Sequence, residues 1–368
     1  FLRLLLEEQW HTEPDGILLA EDPRLDRFSA HCEAEVALPA EAEPPSAWKL
    51  HSVLVLFGHG ESSPSIRGWP KDPRAPSGWD CRPADLPRHW RLNTEVDFRA
   101  VSEDGSWLER SFSPELIEEA PSEERWARRT CAPSQLTADG FRQAVLLGRR
   151  LVGNYGDALS AASLAVRSLD TTRSLASAAG VLLPLLATEN LREGSVMPIT
   201  VLEGGLFAES LAEAARGLEA GGDLLSRWCH HGSLPCSGED CMTPKAANET
   251  ISTSERLFCQ QLVVTSFPWL VKTLEAAAAA NDKLSVFSLT GAELTASLVA
   301  LLGAGVCQDS LMARPPLSSH LVLERWVSSP TAAWKVFWNG VDITSKIHCS
   351  MTAAGCDEAD LLLQLQRS

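Results

Sequence analysis

The apolar pattern is organised around one short run. Ser52 to Phe57 (Ser-Val-Leu-Val-Leu-Phe) is continuously apolar and β-branched, and it stops abruptly at Gly58-His59-Gly60. That reads as a buried strand delivering a histidine to the end of a sheet. Open α/β sheets place their sites at the carboxyl ends of such strands. Gly58 and Gly60 are read as allowing unusual backbone angles and close ligand approach, with Pro64 ending the turn. Further along, Phe141, Val145, Gly148 and Val152 recur at helical spacing behind Thr137, a plausible N-cap. Ser163 to Arg167 is a second short strand, with a helix opening in Leu169–Gly180. Residues 266–280 form a strong helix, Lys283 to Ser288 a third strand, and Glu293 to Leu302 another helix. Asn339-Gly340 reads as a hairpin turn between two edge strands.

Composition narrows the class. With 368 residues and 45% hydrophobic content, the chain is globular and ample for a core. Its net charge of −16 (32 basic against 48 acidic side chains) repels phosphate-rich polymers, so no nucleic-acid partner is expected. Ten cysteines, several in Pro/Gly/Ser-rich loops, favour disulfides in an oxidising compartment, with Cys81 and Cys131 as a staple. Cys229, Cys236 and Cys241 lie close to His230 and His231, but the spacing is not a regular zinc pattern, and neither a metal nor a cofactor is expected. Asn248-Glu249-Thr250 is a glycosylation sequon.

Residues 1–48 read as an acidic, Pro/Ala-rich arm without chemistry. Phe1 to Leu6 suits the tail of a signal or anchor, which would bring this end near a membrane, or simply a helix start. The body is placed at 49–368, with a Trp-rich insertion over 65–133 and a Cys-rich, loop-rich part near 200–265. A loop as long as 65–133 is functional or has structure of its own. Exposed tryptophans there would mark an interface, and buried ones would fill a subdomain.

Gly58-His59-Gly60-Glu61-Ser62-Ser63-Pro64 resembles the Arg-His-Gly-x-Arg-x-Pro signature of the histidine acid phosphatases, in which the His is the nucleophile and both Arg hold phosphate. His59, Gly60 and Pro64 match, while Gly58 and Ser62 stand at the two Arg positions. Gln135-Leu-Thr-Ala-Asp-Gly-Phe-Arg-Gln143 is similar to the helix after that motif in the family. Arg167-Ser-Leu-Asp-Thr-Thr-Arg173-Ser resembles the family's Arg-Ser-Thr-Asp-x-x-Arg-Thr, which implies phosphate binding by Arg173. Residues 229–241 and the tail over 321–349 look like the 2-phosphoxylose phosphatase branch. Where the family carries His-Asp or His-Ala-Glu, this chain reads Thr290-Gly-Ala-Glu293, with no His. That leaves Glu293 as a candidate acid, or as a solvated first-turn residue that complements the helix dipole.

The resemblance implies an α/β fold: a mostly parallel sheet with helices on both faces, of the phosphoglycerate mutase-like kind, plus a smaller loop-rich part. Losing three charged hydrogen bonds to one phosphoryl group would cost about 5–9 kcal/mol, or roughly 10³- to 10⁶-fold in rate. Glu61 is read as adding negative charge beside the phosphate. Two functions are therefore carried. One is a catalytically impaired pseudophosphatase serving as a binding or structural subunit, with protein partners on the acidic arm and the Trp-rich insertion. The other is an active phosphomonoesterase working through a phosphohistidine at His59 on a phosphorylated sugar or inositol phosphate, with Arg173 as anchor and Glu293 as acid. The secretory pathway (Golgi lumen or extracellular) is the expected location, with the mitochondrial intermembrane space as the alternative.

Overall fold

The computed structural model describes residues 31–34, 47–63, 79, 81, 96–108, 131, 134–156, 164–187, 195–202, 221–229, 234, 236–237, 240–262, 268–279 and 283–367. Five strands form a parallel set: β1 (Lys49–Gly58), β2 (Val96–Val101), β3 (Leu164–Leu169), β4 (Ser195–Leu202) and, after the two-residue ribbon β5 (Cys236–Ser237) and β6 (Asp240–Cys241), β7 (Leu284–Leu289). Their order is β1-β7-β3-β4-β2, every neighbour parallel. An antiparallel edge continues from β1 through β8 (His320–Ser328) and β9 (Thr331–Trp338). Beyond β9 lie β10 (Val341–Asp342), and β12 (Gly355–Asp357) paired to β11 (Met351–Thr352).

The β1 sequence is apolar without interruption because both of its faces are covered. Val53, Val55 and Phe57 pack with Leu147 and Leu151 of α1 (Ala138–Tyr155) and Leu175 and Leu182 of α2 (Thr172–Ala187). Leu54 and Leu56 face the other way, since successive strand side chains must alternate in this manner. They join Phe258 of α3 (Pro244–Leu262), Leu274 of α4 (Pro268–Ala279), Leu298 of α5 (Gly291–Leu302) and Leu361 of α6 (Glu358–Arg367). The expected α/β architecture with helices on both faces is therefore the one found.

Several local expectations need correction. Neither Gly58 nor Gly60 adopts a positive φ. Gly60 is needed for packing, since a Cβ there would lie 2.3 Å from the Gly140 carbonyl oxygen. A Cβ on Gly140 would in turn lie 2.1 Å from the Glu61 oxygen, so the turn after β1 and the first turn of α1 touch backbone to backbone. The Asn339-Gly340 turn has φ 46° and 81°, as a tight hairpin of this type requires. Its first strand, β9, is not an edge, being paired to β8, β10 and β12.

Among the described residues, disulfides join Cys32–Cys229, Cys81–Cys131, Cys259–Cys307 and Cys349–Cys356. They place the chain in an oxidising environment. They also use up Cys229, and among the described residues no cluster of metal-ligating side chains occurs. Also among the described residues, no helix is long and apolar enough to cross a membrane. The arm before residue 31 and most of the 65–133 stretch lie outside the described residues, including Arg67, Lys71, Arg74 and Arg82, the loop cations that the sequence offers as substitute phosphate donors, and so do His230 and His231. Of the insertion's tryptophans, Trp79 is buried against the Cys81–Cys131 bridge and Trp107 is 57% exposed.

Candidate active site

The β1 and β7 strands run in register to a common end, Gly58 opposite Leu289, and the neighbouring β3 ends at Leu169. The segments leaving these three strand ends form one wall of a cavity of about 90 Å³. From β1 come Gly58, His59 and Ser62, from the start of α2 Arg173, and from the β7–α5 junction Thr290, Gly291, Ala292 and Leu294. The sequence-derived pair His59 and Arg173 is therefore brought together, and Glu293 is not among the lining residues.

His59 is held by its backbone. Its N–H donates to the Leu289 carbonyl (3.1 Å) and its own carbonyl accepts from Ser318 N–H (3.2 Å). The next amide, of Gly60, donates to Ser177 Oγ on α2 (3.4 Å). The ring is set by Nδ1, 2.8 Å from the Gly60 carbonyl oxygen. A carbonyl only accepts, so Nδ1 carries the proton and the lone pair is on Nε2. Burial, reinforced by the Arg173 guanidinium and opposed by the Gly60 carbonyl, lowers the His59 pKa to about 3. The imidazole is thus neutral at ordinary pH, the state a nitrogen nucleophile requires.

Glu61 is buried and bonded to α1. Its amide donates to Gln143 Oε1 (2.9 Å), and its carboxylate accepts from Thr137 Oγ1 (2.9 Å), the residue that caps α1 through Gly140 N–H. The expectation of negative charge beside the phosphate position fails for this reason. Nor is Glu293 solvated. It is buried, and it closes a capping box in which Thr290 N–H donates to Oε2 (3.0 Å) and the Thr290 hydroxyl bonds the same oxygen.

Gly58 brings no side chain to the cavity, and its nearest neighbour is the end of Leu294. A Cβ there would sit 3.1 Å from Leu294 Cδ1. Ser62, at the other arginine position, is buried in a bridge to Leu136.

The opposite wall comes from places the motifs do not mark: His31, the helical segment 221–229 with Asp223 and Ser226, and Arg314. His31 Nδ1 donates to the Arg314 carbonyl (3.0 Å). Burial, then the Arg314 charge, lowers the His31 pKa to about 4 against that hydrogen bond. The arm assigned no chemistry therefore contributes a cavity residue, anchored by the adjacent Cys32–Cys229 bridge and by Ala34 N–H to the Leu317 carbonyl (2.9 Å). The one hint in the sequence was Cys32, which had to bond somewhere on the body.

No protein-family model matches the chain, and no curated protein matches its sequence. Solved structures do match in shape. The phytase from D. castellii superposes with TM-score 0.50 at 11% identity, over 93% of this chain and 84% of that one. A Hafnia alvei phytase gives 0.49 at 11% identity, over 88% and 97%. A Bifidobacterium longum multiple inositol polyphosphate phosphatase gives 0.42 at 10% identity, over 88% and 94%. The first of these shows that the fold is the histidine acid phosphatase fold.

Proposed function

We propose that this chain is a catalytically impaired phosphatase that binds a single phosphate group at the His59 cavity and serves by binding rather than by turnover. One observation carries the reading: the residue that lines the cavity directly before His59 is a glycine, so no guanidinium enters from position 58. The phosphoryl group loses that cation, and with Glu293 held in the α5 cap no carboxylic acid from that junction serves the leaving group. The cavity volume, about 90 Å³, is below the roughly 300–1,000 Å³ of typical ligand sites. It suits one phosphate of a phosphorylated sugar or inositol, not a whole polyphosphate. The solvent-facing Trp107 offers an anchor for a protein partner. The branch that acts on 2-phosphoxylose supplies the sugar this reading favours.

A second reading, slow hydrolysis through phosphohistidine, is favoured by the Nδ1 bond that leaves His59 Nε2 with its lone pair. Restoring the missing cation tests the first reading. The double variant Gly58→Arg/Leu294→Ala should hydrolyse an aryl phosphate about 10- to 100-fold faster than the parent chain, the size of one charged hydrogen bond. The gain should vanish when His59→Ala is added. A parent chain already as fast as the folded double variant would overturn the reading.

A further inference from the structure

The cavity holds a second guanidinium that no motif supplies. Arg314 lies between α5 and β8, directly before Pro315-Pro316, and is only 4% exposed. Its Nε is 3.2 Å from Glu255 Oε1 on α3. Nε, Nη1 and Nη2 are all buried with no hydrogen-bond partner among the described residues, so the Glu255 contact is an ion pair alone. Buried donors are normally satisfied, and a guanidinium carries five of them, so one carboxylate contact leaves this group short. The residue is also held in place. A Cβ on Gly221 would lie 2.6 Å from Nη2, so the side chain rests against that glycine. Its carbonyl is bound by His31, which the Cys32–Cys229 bridge secures. Burial lowers the Arg314 pKa to about 10 against the pull of Glu255, so it stays charged at neutral pH. A charged guanidinium that is fixed, buried and without a hydrogen-bond partner among the described residues, on a residue that lines the cavity, is suited to a planar or tetrahedral oxyanion.

We infer that Arg314 is the second anion-binding residue of the His59 cavity, working opposite Arg173 and replacing the cations lost at Gly58 and Ser62. The inference rests on the cavity being a phosphate site, and it names the ligand as one phosphate-sized oxyanion: inorganic phosphate or the head of a monoester. The lining carries two guanidiniums, Arg173 and Arg314, and one carboxylate, Asp223, with Glu255 paired to Arg314 behind it.

Calorimetric titration of inorganic phosphate into the full chain at pH 7 tests this, with Arg314→Met, Arg314→Lys and Glu255→Gln as variants. Arg314→Met should weaken binding by about 10- to 100-fold, and Arg314→Lys by less. Glu255→Gln should tighten binding, because it removes the carboxylate that competes for the same guanidinium. An Arg314 that only braces α3 would give the opposite sign, since neutralising Glu255 would loosen the brace. Unchanged affinity in folded Arg314→Met, or weaker affinity in Glu255→Gln, overturns the inference while leaving the phosphate site standing. A parent chain that takes up no phosphate at millimolar concentration overturns both. Should Arg314→Met fail to fold, the sign of the Glu255→Gln effect still decides.

Discussion

The two walls of the cavity are held by different kinds of bonding. The strand-exit wall, with His59, Arg173 and Leu294, is fixed by parallel register and by glycines that let backbones touch. The opposite wall, with His31, Asp223 and Arg314, is assembled from a loop, a helical segment and an arm. Covalent and electrostatic ties hold it, namely Cys32–Cys229 and Arg314–Glu255. Position along a sheet is a property of local sequence and survives as a motif. Ties between segments 197 residues apart leave no local pattern. The wall with motifs carries glycine at 58 and serine at 62, and the wall without them carries Arg314.

The sharpest way to break that contrast is to cut the tie. Cys32→Ser/Cys229→Ser should cost about 2–5 kcal/mol in denaturant unfolding. It should also loosen phosphate binding through release of His31 and Arg314, with the β-sheet signal intact. Close behind is Gly140→Ala, whose methyl would meet backbone, not a yielding side chain. A loss of about 1–3 kcal/mol is expected, together with displacement of His59 visible as a change in its ring resonances. A variant as stable as the parent would show that the contact between the β1 turn and α1 is not the constraint described.

The pH dependence separates the walls more gently. His59 and His31 are held near 3 and 4, below their ordinary 6.5, so the unfolded chain binds more protons in between. Stability supported by the neutral rings is complete above about 6.5 and is lost as pH falls toward 3–4. His59→Asn should flatten the fall of the unfolding midpoint between pH 6.5 and 3, and His31→Asn should flatten it between 6.5 and 4. Smallest is the effect of Glu293→Gln. The capping box accepts either residue, so stability should change by no more than about 0.5 kcal/mol and phosphate affinity not at all. A large loss of turnover in this variant would return Glu293 to the role of acid.

Much of the fold could be read from the chain because its signals are local. The apolar run 52–57, the Thr137 cap and the Asn339-Gly340 turn each act within a few residues, and they appear as β1, α1 and the β9–β10 hairpin. His59 and Arg173 stand in short motifs after strands, where a resemblance can single them out, and the structure brings both to one cavity. Glu61 misled because its direction depends on Thr137, a contact 76 residues away. Arg314 was invisible because an arginine before two prolines carries no periodicity, and its significance comes from Glu255 and Gly221 only after folding.

The most direct test of impaired catalysis is hydrolysis of a generic aryl phosphate from about pH 4 to 7.5 by the parent chain and by His59→Ala. The account predicts turnover at least about 10³-fold below that of an intact site of this chemistry, whatever phosphate binding shows. Rapid turnover that disappears in His59→Ala would contradict it, and would mean that Arg173 and Arg314 together rebuild a working phosphatase.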